Sequence, residues 1–381
     1  MNKHFYVVYK KYLPNSAVSN RMLSYLKAWS QTDAEVTLVF MLPDRNFSRL
    51  QILYSNIKIL YLWDSIPFRI YMLHFLFYYI NIIRFLEILK DEDLVYEYGD
   101  PYLLSKLSKR KRIKIFHERT EHPQAYALGQ WPYTITLNQY LDCCKAINGL
   151  FVISTPLKDY FSSVGVDNEK IYVVNMTVDA SRFENVHKQK VDSPYIAYCG
   201  KATNNKDGVD QLIKAFSIIS QRYPNIYLYI IGKAPQKSVD EGNYALVKKL
   251  NIEDKVIFKG VVPYTEMPQM LVNATILALD RPYNIQAQYG FPTKLGEYLL
   301  TGNPVVVTNV GDIHRFLHDG QSAMIAEPDA PSDFASKVIW LLNNSLKAEL
   351  IGRAGKSVAL ANFNCEVEGK KVLDVVFSPK D

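Results

Sequence analysis

The run Gly290–Thr308, GFPTKLGEYLLTGNPVVVT, constrains the fold more than any other stretch of the chain. Pro292 fits the first position of a helix, where its ring presets φ and its missing N–H costs no bond. Leu295, Leu299 and Leu300 then fall on one face at helical spacing. Gly302 reads as the cap that stops this helix, Asn303-Pro304 as a turn, and Val305–Thr308 as a β-branched strand. A helix passing through a tight turn into an apolar strand is one step of a doubly wound α/β sheet.

The rest of the chain repeats that step. In the N-terminal half, strands are expected at Phe5–Tyr9, Glu35–Phe40, Leu94–Tyr98, Ile113–His117, Leu150–Ser154 and Ile171–Val174, with helices at Ser19–Trp29 and Ser154–Gly165. A second series opens at Tyr195–Cys199 and continues through helix Val209–Arg222, strand Ile226–Ile231, helix Ser238–Leu250 and strand Val256–Gly260. Helix Tyr264–Val272, strand Thr275–Leu279, the run above and a helix near Ser332–Asn343 complete it. The polar stretch Glu184–Ser193 separates the two series. The expected division is therefore residues 1–183, residues 184–362 and a terminal helix within 363–381. Open α/β sheets bind ligands beyond the carboxyl ends of their strands, so the residues that follow each strand are the candidates for chemistry.

Composition narrows the classes. Hydrophobic residues at 48% and charged residues at 22% of 381 are those of a globular protein, and 27 tyrosines beside 18 phenylalanines make a heavy aromatic load. A net charge of +6, spread over both halves, does not indicate a nucleic-acid partner. Cys143, Cys144, Cys199 and Cys365 show neither metal-ligand spacing nor a disulfide framework, which favours a reduced, cytoplasmic setting. The first residues read directly as a strand, without the apolar stretch of a signal peptide.

The helix that follows Pro292 carries chemistry at its start. The amides of Thr293 and Lys294 lie at a helix N-terminus beside an ammonium group, a ready anion site. Glu297 falls one turn on, placed to accept hydrogen bonds from a diol such as a ribose. Phosphate and ribose together suggest a sugar nucleotide. After the strand Tyr195–Cys199, the loop Gly200-Lys-Ala-Thr-Asn-Asn-Lys-Asp-Gly208 offers a glycine for close approach and two lysines able to neutralise a diphosphate.

These segments, in this order, resemble the retaining glycosyltransferases of family 4, which have the two-domain GT-B fold with Rossmann-like halves facing across a cleft. The resemblance takes in Gly200–Gly208, Ile230–Gly232, Gly260–Tyr264 and Gly290–Gly311. It implies that Gly200, Lys201 and Lys206 contact the donor phosphates, that Val262 lies in the loop contacting the base, and that Thr293, Lys294, Leu295 and Glu297 hold phosphate and ribose. The family motif is Glu-x7-Glu; Glu297 matches its second glutamate, and Tyr289 stands where the first would be. In the acceptor half, Ser16 and Ala17 take the place of a glycine-rich loop near the donor phosphate, and Arg21 faces either an anionic group or solvent. The segment His117-Glu-Arg-Thr-Glu-His122 follows a strand. The resemblance places there a histidine that contacts the transferred sugar; His117 and His122 both fit, with Glu118 beside them. It implies no bound metal and no other cofactor, since lysines and a helix dipole take up the charge of the leaving diphosphate; no Asp-x-Asp motif is present.

Residues 66–89, IPFRIYMLHFLFYYINIIRFLEIL, are long enough to cross a bilayer, but Arg69, His74, Asn81 and Arg84 argue against a span. A helix lying in the interface or docked on the sheet fits better. Lys106–Lys114 adds a basic cluster without an acidic residue, suited either to anionic lipid or to a loop entering a strand. The expectation is a nucleotide-sugar-dependent transferase, with a UDP- or GDP-type donor, acting on a glycan or lipid-linked acceptor of cell-surface polysaccharide, lipopolysaccharide or glycolipid, on the inner face of the membrane. A nucleotide-sugar epimerase of the same fold and an inactive membrane-bound scaffold are the alternatives. A Rossmann oxidoreductase is disfavoured because Tyr9–Asn20 contains no glycine.

Overall fold

Two parallel sheets organise the chain, and their central strands are buried on both faces, as parallel sheets covered by helices require. The computed structural model describes residues 4–14, 16–51, 54–65, 73–125, 127–232 and 237–378. The start of the long apolar segment, residues 66–72 with Arg69, and position 15 of the loop before the first helix lie outside the described residues.

The first sheet contains Phe5–Tyr9 (β1), Val36–Phe40 (β2), Ile57–Tyr61 (β3), Leu94–Tyr98 (β4) and Lys114–Arg119 (β5). A two-stranded hairpin of Gly129–Gln130 (β6) and Tyr133–Thr134 (β7) comes next, and Gly149–Val152 (β8) and Ile171–Val173 (β9) finish the sheet. Its order is β3-β2-β1-β4-β5-β8-β9. The second sheet is built from Tyr195–Cys199 (β10), Tyr227–Ile231 (β11), Val256–Gly260 (β12), Ile276–Leu279 (β13), Val305–Thr308 (β14) and Met324–Ala326 (β15), in the order β12-β11-β10-β13-β14-β15.

Local sequence explains many of the helix starts. Ser16 caps helix Ala17–Trp29 by accepting from Ser19 N, and Asp100 does the same for Pro101–Leu107. Thr136 and Gln139 form a reciprocal capping box at Leu137–Ala146. Strand register and helix packing do the rest. Helix Cys365–Val376 lies on Ala17–Trp29, where Trp29 Nε1 donates to the Gly369 carbonyl at 2.8 Å. A Cβ on Gly369 would come 2.6 Å from that of Ala28, so the two helices meet at a glycine.

The chain divides into two compact units, Met1–Asn175 with Cys365–Asp381, and Met176–Asn364. The division thus comes earlier than the expected 183/184. Val178 N donates to Phe363 O at 2.9 Å and Phe183 is buried, so the segment before the polar stretch already belongs to the second unit.

Several elements differ from expectation for identifiable reasons. Strand β5 continues to Arg119, two residues beyond His117, because its polar side chains are buried in pairs rather than exposed. Strand β3 is a partly buried edge and β15 has three residues, too short for a periodic signal. Helix Ser345–Asn362 buries Ala348, Ile351, Gly352, Gly355 and Ala359, a face with a single large apolar residue and so a weak apolar stripe. The helix expected to start at Pro292 begins at Lys294, with Thr293 as its cap and a turn in which Leu295 N donates to Pro292 O at 3.0 Å.

Candidate active site

In the second unit glycines with positive φ stand at the carboxyl ends of β10, β11 and β12: Gly200, Gly232 and Gly260. Gly200 follows β10 with φ +151°, and its amide donates to Ile231 O at 2.8 Å. A Cβ at Gly200 would overlap Lys294 Nζ, so the glycine is what admits the ammonium to the loop. Lys294 Nζ lies 2.9 Å from Asp207 Oδ2 and donates to the Tyr198 hydroxyl at 3.1 Å, 4.6 Å from the centre of that ring. The Tyr198 hydroxyl is also 2.9 Å from Asp207 Oδ2 and 2.8 Å from the Lys201 carbonyl oxygen. Burial would raise the Asp207 carboxyl, but the adjacent Lys294 ammonium, together with Arg281 and the Tyr198 hydroxyl, holds the group below its ordinary value. Lys294 is therefore fixed by a buried carboxylate and keeps a partly exposed head.

The other expected donor residues lie on loops and helix ends of the same unit. Lys201 is exposed on the loop after Gly200, and Lys206 lies in the short helix Asn204–Asp207. The Lys206 carbonyl accepts from Arg281 Nε at 3.4 Å. Leu295 is fully buried and anchors the helix, so only its backbone is available for a ligand; Thr293 is half-buried at the helix start. Val262 is half-buried in the loop after β12. Tyr289 ends the helix Ile285–Tyr289, half-buried, just before Gly290. Glu297 sits on the first turn as expected, but its Oε1 is paired with Arg182 Nη1, a partner that no local pattern announces.

Beneath the loop lies a carboxyl with an unusual setting. Asp280 closes β13, is 1% exposed, and neither oxygen has a hydrogen-bond partner among the described residues. Burial, then the neighbouring carboxylates of Asp329 and Asp210, push it up to about 7. The folded state thus holds a proton that the unfolded chain releases near 3.8, so the group's contribution to stability is complete below that pH and lost as pH rises through about 7. Asp280→Asn is expected to match the wild type below pH 4 and to exceed it above pH 7, by about 2–4 kcal/mol. Urea melts at the two pH values would show this; equal stability at both would rule it out.

The first unit places its histidines and acids differently from a strand-end site. His117 is fully buried within β5, with Nδ1 2.5 Å from Glu97 Oε2 and Nε2 2.8 Å from the Tyr140 hydroxyl. Burial, with Arg119 adding to it, depresses its pKa to about 3, while burial and Asp100 raise Glu97, so this is a pair of neutral groups. Glu118 is also fully buried and accepts from Arg21 Nε, from the Tyr96 hydroxyl and from the Tyr25 hydroxyl at 3.2 Å. Arg21 faces an anion, as one of its two expected settings, and that anion is the protein's own carboxylate. His122 lies beyond the strand; its Nδ1 accepts from Gln124 N at 3.2 Å, which leaves the ring proton on Nε2. Ser16 and Ala17 are the cap and first residue of their helix.

Comparison with known proteins agrees with this architecture. Residues 193–344 match the family model described as glycosyl transferases group 1. Mannosylfructose-phosphate synthase of Agrobacterium fabrum is 28% identical over 219 residues, which cover 56% of this chain and 46% of that protein. The capsular polysaccharide biosynthesis glycosyltransferase CapM of Staphylococcus aureus is 25% identical over 214 residues, covering 54% of this chain and 50% of CapM. The chain spans about half the length of these curated relatives. Among solved structures, Anabaena HepE in complex with UDP superposes with a TM-score of 0.76 at 14% identity, covering 99% of this chain and 100% of HepE. Sucrose-phosphate synthase of Thermosynechococcus elongatus gives 0.76 at 13% identity, covering 98% of each chain. At such identities the structural likeness is one of fold: the chain has the GT-B fold, and within it residues 193–344 match the group 1 glycosyl transferases.

Proposed function

We propose that this protein is a hexosyltransferase that moves a sugar from a nucleoside-diphosphate donor to a glycan or lipid-linked acceptor of a cell-surface polysaccharide, lipopolysaccharide or glycolipid. The observation that carries this reading is Lys294, held by Asp207 and Tyr198 against a glycine turn at the end of β10, one helical turn before Glu297. A fixed ammonium and a carboxylate at that spacing suit a diphosphate and the ribose next to it. The family match at 193–344 and the UDP bound by HepE support the same ligand class.

In this reaction the bond from the sugar's anomeric carbon to the diphosphate oxygen breaks, and the new bond to the acceptor oxygen forms on the same face. Lys294, with Lys201 and Lys206 on the neighbouring loop, takes up the charge that develops on the departing phosphate, which in turn accepts the acceptor's proton. Preorganised cations stabilise charge that appears only in the transition state, and this raises turnover rather than affinity alone. No divalent cation is needed in this scheme. Both nitrogens of His117 are engaged in the core, and His122 is itself 2% exposed with its ring against Tyr160, so neither ring is presented at the surface of the first unit. Incubation with UDP- and GDP-hexoses in EDTA, followed by proton NMR of the product's anomeric signal, tests the reading. Retained configuration is expected; an inverted product, or turnover only with added metal, would refute the mechanism. Conversion of the donor alone to an epimer would favour the epimerase.

The same reading places the protein on the cytoplasmic face of an anionic membrane. Among the described residues no helix is long and apolar enough to cross a bilayer. Helix His74–Ile88 buries Tyr78, Asn81, Ile82 and Phe85 against its unit and exposes Phe75, Leu76, Tyr79, Ile80 and Ile83. The β6–β7 hairpin carries Trp131, 86% exposed, and is joined to the helix where the Tyr133 hydroxyl donates to Phe75 O at 2.6 Å. At the other end, Leu86 and Leu89 line a cavity with Lys90, Lys109, Arg110, Lys111 and Arg112, the last paired with Asp91 at 3.0 Å. An apolar and aromatic face flanked by these cations matches the interface of an acidic bilayer. The variant Trp131→Ala/Ile80→Ser is expected to lose at least tenfold in binding to phosphatidylglycerol vesicles by co-sedimentation; undiminished binding would exclude this surface.

A further inference from the structure

We propose that Arg182 is the positioning residue of the nucleoside site, clamping the carboxylate that reads the ribose and the aromatic ring beside it. This rests on the donor-site reading above and adds a residue that neither the motif nor its spacing supplies.

Arg182 belongs to the turn Ala180–Phe183 near the start of the second unit, far in sequence from Glu297 and Tyr264. Its Nη1 pairs with Glu297 Oε1, and its Nη2 donates to the Tyr264 carbonyl at 3.1 Å. Its guanidinium carbon lies over the Tyr264 ring, 3.7 Å from its centre. One planar cation therefore ties the first turn of helix Lys294–Leu300 to the loop that follows β12. Each of its three contacts uses a different property of the guanidinium: charge, a directed N–H and a flat face. Lysine cannot supply all three.

The consequence for ligand recognition follows from geometry. Glu297 is partly exposed, and only one of its oxygens meets Arg182. With one oxygen fixed, the carboxylate is held in a single orientation and the other oxygen is presented for a diol. Without Arg182 the side chain regains its rotamers, and each hydroxyl hydrogen bond must then be made at the expense of ordering it. Tyr264, 38% exposed, loses at the same time the cation that holds one face of its ring. Arg182 thus acts through Glu297 and Tyr264 and need not touch the nucleotide itself.

The test is calorimetric binding of UDP and GDP, each against its 2′,3′-dideoxy counterpart, to the full chain and to Arg182→Met, Arg182→Lys and Glu297→Gln. The wild type is expected to prefer the ribonucleotide at least tenfold. Arg182→Met should bind it about tenfold more weakly with that preference largely gone, at a melting temperature close to the wild type. Arg182→Lys should recover part of the preference, and Arg182→Met/Glu297→Gln should be no worse than the weaker single variant. Arg182→Met with unchanged affinity and preference, or with tighter binding, overturns the proposal while leaving the nucleotide site intact. A variant whose preference falls only together with its melting temperature, and is not improved in Arg182→Lys, also overturns it. Absence of UDP and GDP binding in the wild type would overturn the donor-site reading itself, and this proposal with it.

Discussion

Arg21→Ala is expected to destabilise the first unit by about 3–5 kcal/mol, enough to unfold much of it at ambient temperature. The guanidinium is buried, pairs with Glu118, and donates to the backbone carbonyls of Asn175 at 2.8 Å and Val174 at 3.0 Å. Removing it leaves a fully buried carboxylate without its charge partner and two chain-crossing carbonyls without donors. Burial already raises the Glu118 carboxyl, and Arg21 is the group that pulls it back. Arg21→Ala should therefore force Glu118 to take up a proton or the unit to open, and the variant should be least stable at high pH. Arg21→Met/Glu118→Gln, which removes both charges and keeps the volume, should recover much of the loss. Chemical denaturation of the three proteins measures this directly; a single variant within 1 kcal/mol of the wild type would show that the pair contributes little.

Lys294→Met is expected to lower sugar transfer by about 10²–10³, the usual effect of removing one preorganised group from a developing oxyanion. The substitution also strips Asp207 of its partner, so activity and stability would fall together and neither could be assigned alone. Lys294→Met/Asp207→Asn separates them. With no carboxylate left to pair, the fold should return toward wild-type stability, while transfer stays low. Activity that recovers in the double variant would mean that Lys294 serves the fold and not the phosphate. Gly200→Ala is expected to act in the same direction without removing any charge, because its Cβ would overlap Lys294 Nζ and the backbone there has φ +151°.

The sheets were legible because their strands are short, apolar and regularly spaced with helices, a pattern that owes nothing to distant partners. Phe5–Tyr9, Val256–Gly260 and Val305–Thr308 stand where the residues place them. Part of the donor side was legible too: a glycine after one strand and Pro-x-Lys before a helix are local signals, and the fold brings Gly200 and Lys294 together. Asp207, Tyr198 and Arg182 escaped notice because their significance lies in contacts across many residues of sequence. Asp207 lies between Lys206 and Gly208 in the same loop, and a partly buried lysine head at a loop requires a counter-ion nearby.

The histidine segment shows the opposite error. A polar run after an apolar strand reads as a strand end, yet β5 continues through His117 and Glu118 with both side chains buried. Buried polar groups are tolerated when they are paired, and here the partners come from other elements: Glu97 on β4, Tyr140 on helix Leu137–Ala146, Arg21 and Tyr25 on the first helix. Nothing local distinguishes such a network from a ligand site. His122 lies past the end of the strand and is buried as well, its ring against Tyr160.

The most direct test of the donor site is isothermal titration of the purified protein with UDP and GDP in EDTA, alongside Lys294→Met/Asp207→Asn. Micromolar binding of at least one nucleotide to the wild type, weakened tenfold or more in the double variant, is the expected result. Failure of both nucleotides to bind the folded protein, or equal binding by the double variant, would contradict a phosphate site built on Lys294.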